Sequence, residues 1–86
     1  MNIYLKDLKP NCNIIDIRDE YAYRLDHVYN AKNIPMNELL NRYYIYLNKD
    51  EVYYIYCTSG KRSKRTCELL NALGYNVVNV IDGFGK

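Results

Sequence analysis

The apolar positions of this chain change period at one place, and the change brackets a short polar stretch. Val52, Tyr53, Tyr54, Ile55 and Tyr56 are β-branched or aromatic residues in succession, the pattern of a strand covered on both faces. From Ser63 to Leu73 the period becomes helical: Thr66, Cys67, Leu70 and Leu73 share one stripe, and Gly74 is placed to end the helix. Between the two lies Cys57-Thr58-Ser59-Gly60-Lys61-Arg62-Ser63, so a cysteine ends a strand and faces a helix N-terminus.

Elsewhere, Leu39, Leu40, Tyr43, Tyr44 and Leu47 recur at helical spacing after Pro35, which predicts an amphipathic helix from Met36 onward. Ile3, Tyr4 and Leu5 read as an extended start, followed by one helical turn carrying Leu8 before Pro10 and Asn11 break it. Residues 13–17 read as a short β-branched strand. Arg18, Asp19 and Glu20 open a short helix with Tyr21 and Leu25 on its inner face, residues 26–31 form a loop, and residues 32–35 return to extended chain. Residues 76–81 are the final strand, before the glycine-rich tail of residues 82–86. Strands and helices alternate, which predicts an α/β fold: a parallel sheet flanked by helices, with ligands at the carboxyl ends of the strands, where Cys57 lies.

At 86 residues the chain is expected to form one domain over residues 1–86. A net charge of +2, from 12 basic and 10 acidic side chains, is too balanced to argue for nucleic acid or an anionic membrane. The basic residues nevertheless gather, Lys61, Arg62, Lys64 and Arg65 all near one loop, which suits a small anionic ligand better than a polymer. The 11 tyrosines read as packing at core edges, with rings inside and hydroxyls wet. Three cysteines in no recurring spacing give neither a disulfide framework nor a zinc knuckle, and no metal or cofactor is expected. Met1 to Leu8 lacks the apolar core of a signal peptide, so a cytoplasmic location with reduced thiols is expected.

The chemistry concentrates in the loop that begins at Cys57. Unpaired N–H groups of a tight strand-to-helix turn, added to the positive end of the helix dipole, make a cavity for an anion. Gly60 permits a turn that a Cβ would resist, and Lys61 and Arg62 add cations. A thiol in such surroundings ionises at about 3.5–7.5, against about 8.5 when free. The plainer alternative is a buried strand-end cysteine beside a solvated basic loop. Cys12, at a strand entry, and Cys67, on the inner helical stripe, read as ordinary apolar positions. Asp16, a carboxylate inside a strand, is either solvated at the strand's end or hydrogen-bonded to a nearby loop, the second being favoured because buried carboxylates need partners. His27 is the only histidine; it could serve as a general base, although a loop histidine that pins backbone groups is the commoner case.

Two blocks, in order, resemble the single-domain rhodaneses, sulfurtransferases that carry sulfur as a cysteine persulfide. The first is Asp16-Ile17-Arg18, Tyr23, Asp26-His27-Val28 and Asn30-Ala31-Lys32-Asn33-Ile34-Pro35. The second is Cys57-Thr58-Ser59-Gly60-Lys61-Arg62-Ser63, Thr66-Cys67, Leu70, Gly74-Tyr75, Val80 and Asp82-Gly83-Phe84. The resemblance implies a small rhodanese-like three-layer domain, a parallel sheet flanked by helices; the closing C-terminal helix that the family often has is expected to be absent here. It makes Cys57 the sulfur-carrying nucleophile and the amides from Thr58 through Ser59, Gly60 and Lys61 to Arg62 the cradle of its persulfide. Lys61 and Arg62 would hold an anionic donor, thiosulfate or a polysulfide, and a thiol, a protein thiol or cyanide would accept the sulfur; Ser63, Asp16, Arg18 and His27 support the site. Both loop glycines of the family pattern are replaced, by Asp26 and Asn30, and the glutamate that often partners the first-block arginine falls at Ala22, leaving Arg18 to find Glu20 or another group. Two other functions compete. One is a sulfur-relay or partner-binding module using the rim of Lys64 and Arg65. The other is a cysteine phosphatase or arsenate reductase, which usually carries its arginine six positions after the cysteine, where this chain has Ser63.

Overall fold

The computed structural model describes residues 1–85. Five parallel strands form one sheet: β1 (Asn2–Ile3), β2 (Asn13–Asp16), β3 (Lys32–Asn33), β4 (Val52–Tyr56) and β5 (Asn76–Val80), in the order β1-β5-β4-β2-β3. Three helices connect them: α1 (Glu20–Leu25), α2 (Met36–Tyr46) and α3 (Lys61–Ala72). The expected α/β architecture is therefore present. The register sets Asp16 opposite Tyr56 and Ile55 opposite Asn79, so the carboxyl ends of the three central strands meet along one rim.

Alternation along the strands sends side chains to two cores. Ile15, Ile17, Tyr53, Ile55, Cys57 and Val77 pack with Leu39 of α2 and with Cys67 and Leu70 of α3. On the other face Ile14, Tyr56 and Val80 pack with Ala31, beneath partly buried Ile3, Leu5, Leu8, Tyr23, Val28 and Phe84. Helices α2 and α3 thus cover one face. The other is covered by loops, α1 and the 3-10 turn Leu5–Asp7; Leu8 lies just beyond that turn. The described residues after β5 form a loop without a helix.

Helical periodicity misplaced four side chains. Tyr21 and Leu25 are exposed, at 74% and 70%. Arg18 does not open α1: Asp19 caps it, accepting from the Ala22 N–H at 2.9 Å, and that cap sets the phase of a helix under two turns long, turning Ala22 and Tyr23 inward instead. Tyr44 is exposed because α2 is not continuous; the backbone at Arg42 is non-helical (φ −137°, ψ 34°), and the break resets the helix while Tyr43 stays packed on Tyr75, edge to face at 5.6 Å. Leu73 lies at the C-cap of α3 and is half exposed. The chain reverses at Gly74, whose φ is +97°, and the Tyr75 N–H returns to the Leu70 carbonyl at 3.0 Å, so Tyr75 takes the core place beside Leu70.

Candidate active site

β4 carries Cys57 to the rim and the chain turns at once into α3. Gly60 is the N-cap of that helix, with φ +88°. A Cβ there would lie 2.1 Å from the Ile81 carbonyl oxygen, so glycine is required both by the backbone angle and by the close approach of the residue after β5. This pinning aims the Gly60 N–H at Cys57 Sγ, 3.2 Å away, and the Ser63 N–H reaches the same sulfur at 3.3 Å. As a thiol, Cys57 donates to Ser63 Oγ at 3.4 Å.

Burial pushes the Cys57 thiol up, but hydrogen bonding with the Ser63 side chain and with the amides of Ser63, Ser59 and Gly60 outweighs it and brings it below the ordinary thiol value. Cys57 is 1% exposed, so the thiolate is stabilised by oriented dipoles and not by bulk water. Lys61 and Arg62, expected to share in this, are exposed on the first turn of α3; the stabilising bonds come from the loop itself. Thr58 and Ser59 are exposed as well, and Ser59 Oγ accepts from the Lys61 N–H at 3.5 Å. Among the other thiols, Cys67 is buried at the α3–sheet interface and burial pushes it up to about 12, the inert behaviour expected of a core position. Cys12 is half-buried at the edge of the opposite core.

A second cluster lies at the end of β2. Asp16 is fully buried and accepts four groups: the Arg18 N–H at 2.8 Å, Arg18 Nε at 3.1 Å, Arg18 Nη2 at 2.8 Å and the Tyr56 hydroxyl at 2.7 Å. The carboxylate is thus held by the following loop, as favoured from sequence, and also by the neighbouring strand. Arg18 Nη2 continues to the Asp26 carbonyl at 2.7 Å, and the guanidinium stacks over Phe84 at 5.2 Å. Its hydrogen bonds to Asp16 raise the Arg18 pKa; burial raises that of Tyr56. Glu20 is not its partner: that carboxylate pairs with Arg24 at 2.8 Å on the surface. His27 is a backbone pin, its Nδ1 bonded to the Tyr23 carbonyl at 2.8 Å and its ring stacked on Tyr23 at 3.8 Å. The two clusters meet through the tail. The Phe84 N–H donates to the Cys57 carbonyl at 2.8 Å, so the stack on Arg18 and the start of the reactive loop are tied together.

Two contributors escaped the sequence reading. The sequence pattern places Tyr56 only in a strand, although its hydroxyl donates to Asp16 and accepts from the Val28 N–H at 3.0 Å. Asn79, 2% exposed, accepts from Ser63 Oγ and donates to the Gly60 carbonyl at 3.3 Å. Its signal was available: an amide between Val78 and Val80 in a β-branched strand raises the same question as Asp16.

The family model for the Rhodanese-like domain matches residues 2–86, and the chain belongs to that family. It is 33% identical over 70 residues to the thiosulfate sulfurtransferase PspE of Escherichia coli strain K12, covering 80% of this chain and 67% of that protein. It is 32% identical over 71 residues to the adenylyltransferase and sulfurtransferase uba4 of Ogataea parapolymorpha, covering 81% of this chain but 18% of that protein. A crystal structure of a rhodanese-related protein from Thermoplasma volcanium superimposes with a TM-score of 0.85 at 33% identity, covering 95% of this chain and 84% of that one. The chain spans 18% to 67% of the length of these two curated relatives, and sulfur transfer is the activity that both names share. Among the described residues no helix is long and apolar enough to cross a membrane.

Proposed function

We propose that the protein is a sulfurtransferase that moves sulfane sulfur from thiosulfate or a polysulfide through a persulfide on Cys57. The observation that carries this reading is the pair of amides, from Gly60 and Ser63, converging on a buried sulfur whose pKa is lowered. The Cys57 thiolate attacks the outer sulfur of thiosulfate; the new S–S bond forms as the old one breaks, and sulfite leaves with the bonding pair. The product, Cys57–S–S⁻, carries its charge on the outer sulfur. Cyanide or an acceptor thiolate then attacks that atom, giving thiocyanate or a new persulfide and returning Cys57 as thiolate. An ionised thiol needs no separate general base. Lys61 and Arg62 attract the dianionic donor from the exposed first turn of α3.

Intact mass spectrometry before and after thiosulfate is the direct test. One added sulfur, absent in Cys57→Ser and removed by cyanide, is expected; an unmodified protein would defeat the reading. A relay from a protein donor is the second reading. It is favoured by Lys61, Arg62, Lys64 and Arg65, all exposed on one helix start, and by the small share of uba4 that the chain matches. Sulfur uptake from a persulfidated protein but not from thiosulfate would select it. A phosphatase reading is disfavoured by loop length: with arginine at position 62 the ring of amides is one residue tighter than a phosphoryl group's three equatorial oxygens require.

A further inference from the structure

Ser63 Oγ has one proton, and two acceptors compete for it. With Cys57 protonated, the chain of donors runs from Cys57 Sγ to Ser63 Oγ, from Ser63 Oγ to Asn79 Oδ1, and from Asn79 Nδ2 to the Gly60 carbonyl. Every member of this chain is buried. When Cys57 ionises, its sulfur becomes an acceptor and would gain from the Ser63 hydroxyl. Turning that hydroxyl to the sulfur strips Asn79 Oδ1 of its partner in a place water does not reach, and a buried amide oxygen is costly to leave unpaired. The side chain cannot simply flip, because its Oδ1 would then face the Gly60 carbonyl.

We infer that Asn79 is a positioning residue for Cys57: it holds the Ser63 proton away from the sulfur and so limits how far the thiolate is stabilised. The inference rests on the sulfur-transfer reading for its use. A thiolate's intrinsic nucleophilicity falls with its pKa, and the best attacking thiol has a pKa near ambient pH; the Ser63 hydroxyl added to amides from two sides would leave an over-stabilised, sluggish sulfur. Other groups around Cys57 do not supply this restraint. Lys61 and Arg62 at the start of α3 are exposed cations, Cys67 on α3 stays neutral, α2 brings Met36, Leu39, Leu40 and Tyr43 to the shared core, none of them charged, and the Asp16–Arg18 pair beyond β4 is internally neutralised. β5 faces the loop with Asn79 alone among its polar side chains buried there.

The test reads the thiol and not sulfur transfer, so it stands apart from the proposed activity. Iodoacetamide alkylation of Cys57, followed by mass spectrometry from acid to alkaline pH, gives its apparent pKa and its plateau rate. Asn79→Leu frees the Ser63 proton for the thiolate; the pKa is expected to fall by about one unit and the plateau rate by about threefold. In a Ser63→Ala background the same substitution should move neither, because the messenger is gone. Asn79→Ala deletes the same acceptor without adding bulk and carries the same expectation should the leucine variant not fold. A pKa that rises or stays put on removing Asn79, or an equal shift with and without the Ser63 hydroxyl, overturns the inference and leaves Asn79 as a brace for Gly60. If the alkylation result holds while thiosulfate adds no sulfur to Cys57, the sulfur-transfer reading fails and the role of Asn79 remains.

Discussion

Gly60→Ala is the substitution to which the site should be most sensitive, and Gly74→Ala supplies its control. Both glycines have positive φ, +88° and +97°, so each variant bears the left-handed penalty of about 1–2 kcal/mol. They differ in what the new methyl meets. At Gly74 the nearest atom is Lys49 Nζ at 3.3 Å, the free end of a flexible side chain; at Gly60 it is the Ile81 carbonyl oxygen at 2.1 Å, backbone held by β5. Relief there requires the loop and strand to separate by roughly 1 Å, a distortion of the overpacking kind that costs about 1–3 kcal/mol more. At about 4–8 °C per kcal/mol for a domain of this size, thermal unfolding should fall by roughly 5–15 °C for Gly74→Ala and by a further 5 °C or more for Gly60→Ala. The same displacement carries the Gly60 N–H away from Cys57, so alkylation at mildly acid pH should slow in Gly60→Ala and not in Gly74→Ala. Equal melting temperatures with unaltered thiol reactivity would refute the claim that the contact with Ile81 shapes the loop.

Arg62→Ala should weaken thiosulfate saturation while leaving the melting temperature nearly unchanged, because the side chain is exposed; loss of stability with normal kinetics per folded molecule would make Arg62 structural. Pulsed alkylation at mildly acid pH should label Cys57 well before Cys67, and faster labelling of Cys67 would reverse the assignment of the reactive thiol. Cys67 should also govern alkaline stability. Its folded pKa is raised to about 12, while the thiol of an unfolded chain ionises at about 8.5, so unfolding releases a proton and stability falls by about 1.4 kcal/mol per pH unit between those values. Denaturant titrations across that window should show a shallower decline in Cys67→Ala; an unchanged slope would locate the alkaline sensitivity elsewhere.

Long elements and the reactive loop were legible because their signals are local. The run from Val52 to Tyr56 is β4 as read, and the glycine after Cys57 is where the turn must be. Asp16 could be read as partnered because a strand carboxylate has few other fates. The short helices were harder: Tyr21 and Leu25 satisfy an i, i+4 pattern, but the Asp19 cap decides the phase, and no periodicity in α2 announces the break at Arg42. Asn79 and Tyr56 act across the sheet, on partners that register alone brings near. Lys61 and Arg62 show the opposite case: their charge is adjacent in sequence to Cys57, but both side chains are exposed, and the bonds that reach the sulfur are those of the loop amides.

The first strand of the chain is a neighbour of the last. Asn2 and Ile3 pair with Asn79 and Val80, and the Leu5 N–H reaches Asp82 Oδ1, a separation of 77 residues, at 2.8 Å. During synthesis at roughly 5–20 residues per second, β1 therefore waits about 4–15 seconds for the strand that will hold it. The loop after β4 waits with it, since Ile81 is what lies against Gly60 and Asn79 is what accepts the Ser63 hydrogen bond. The contacts of Ile81 with Gly60 and of Asn79 with Ser63 form only when β5 slots between β1 and β4, so the surroundings of Cys57 are finished by the same event that completes the sheet.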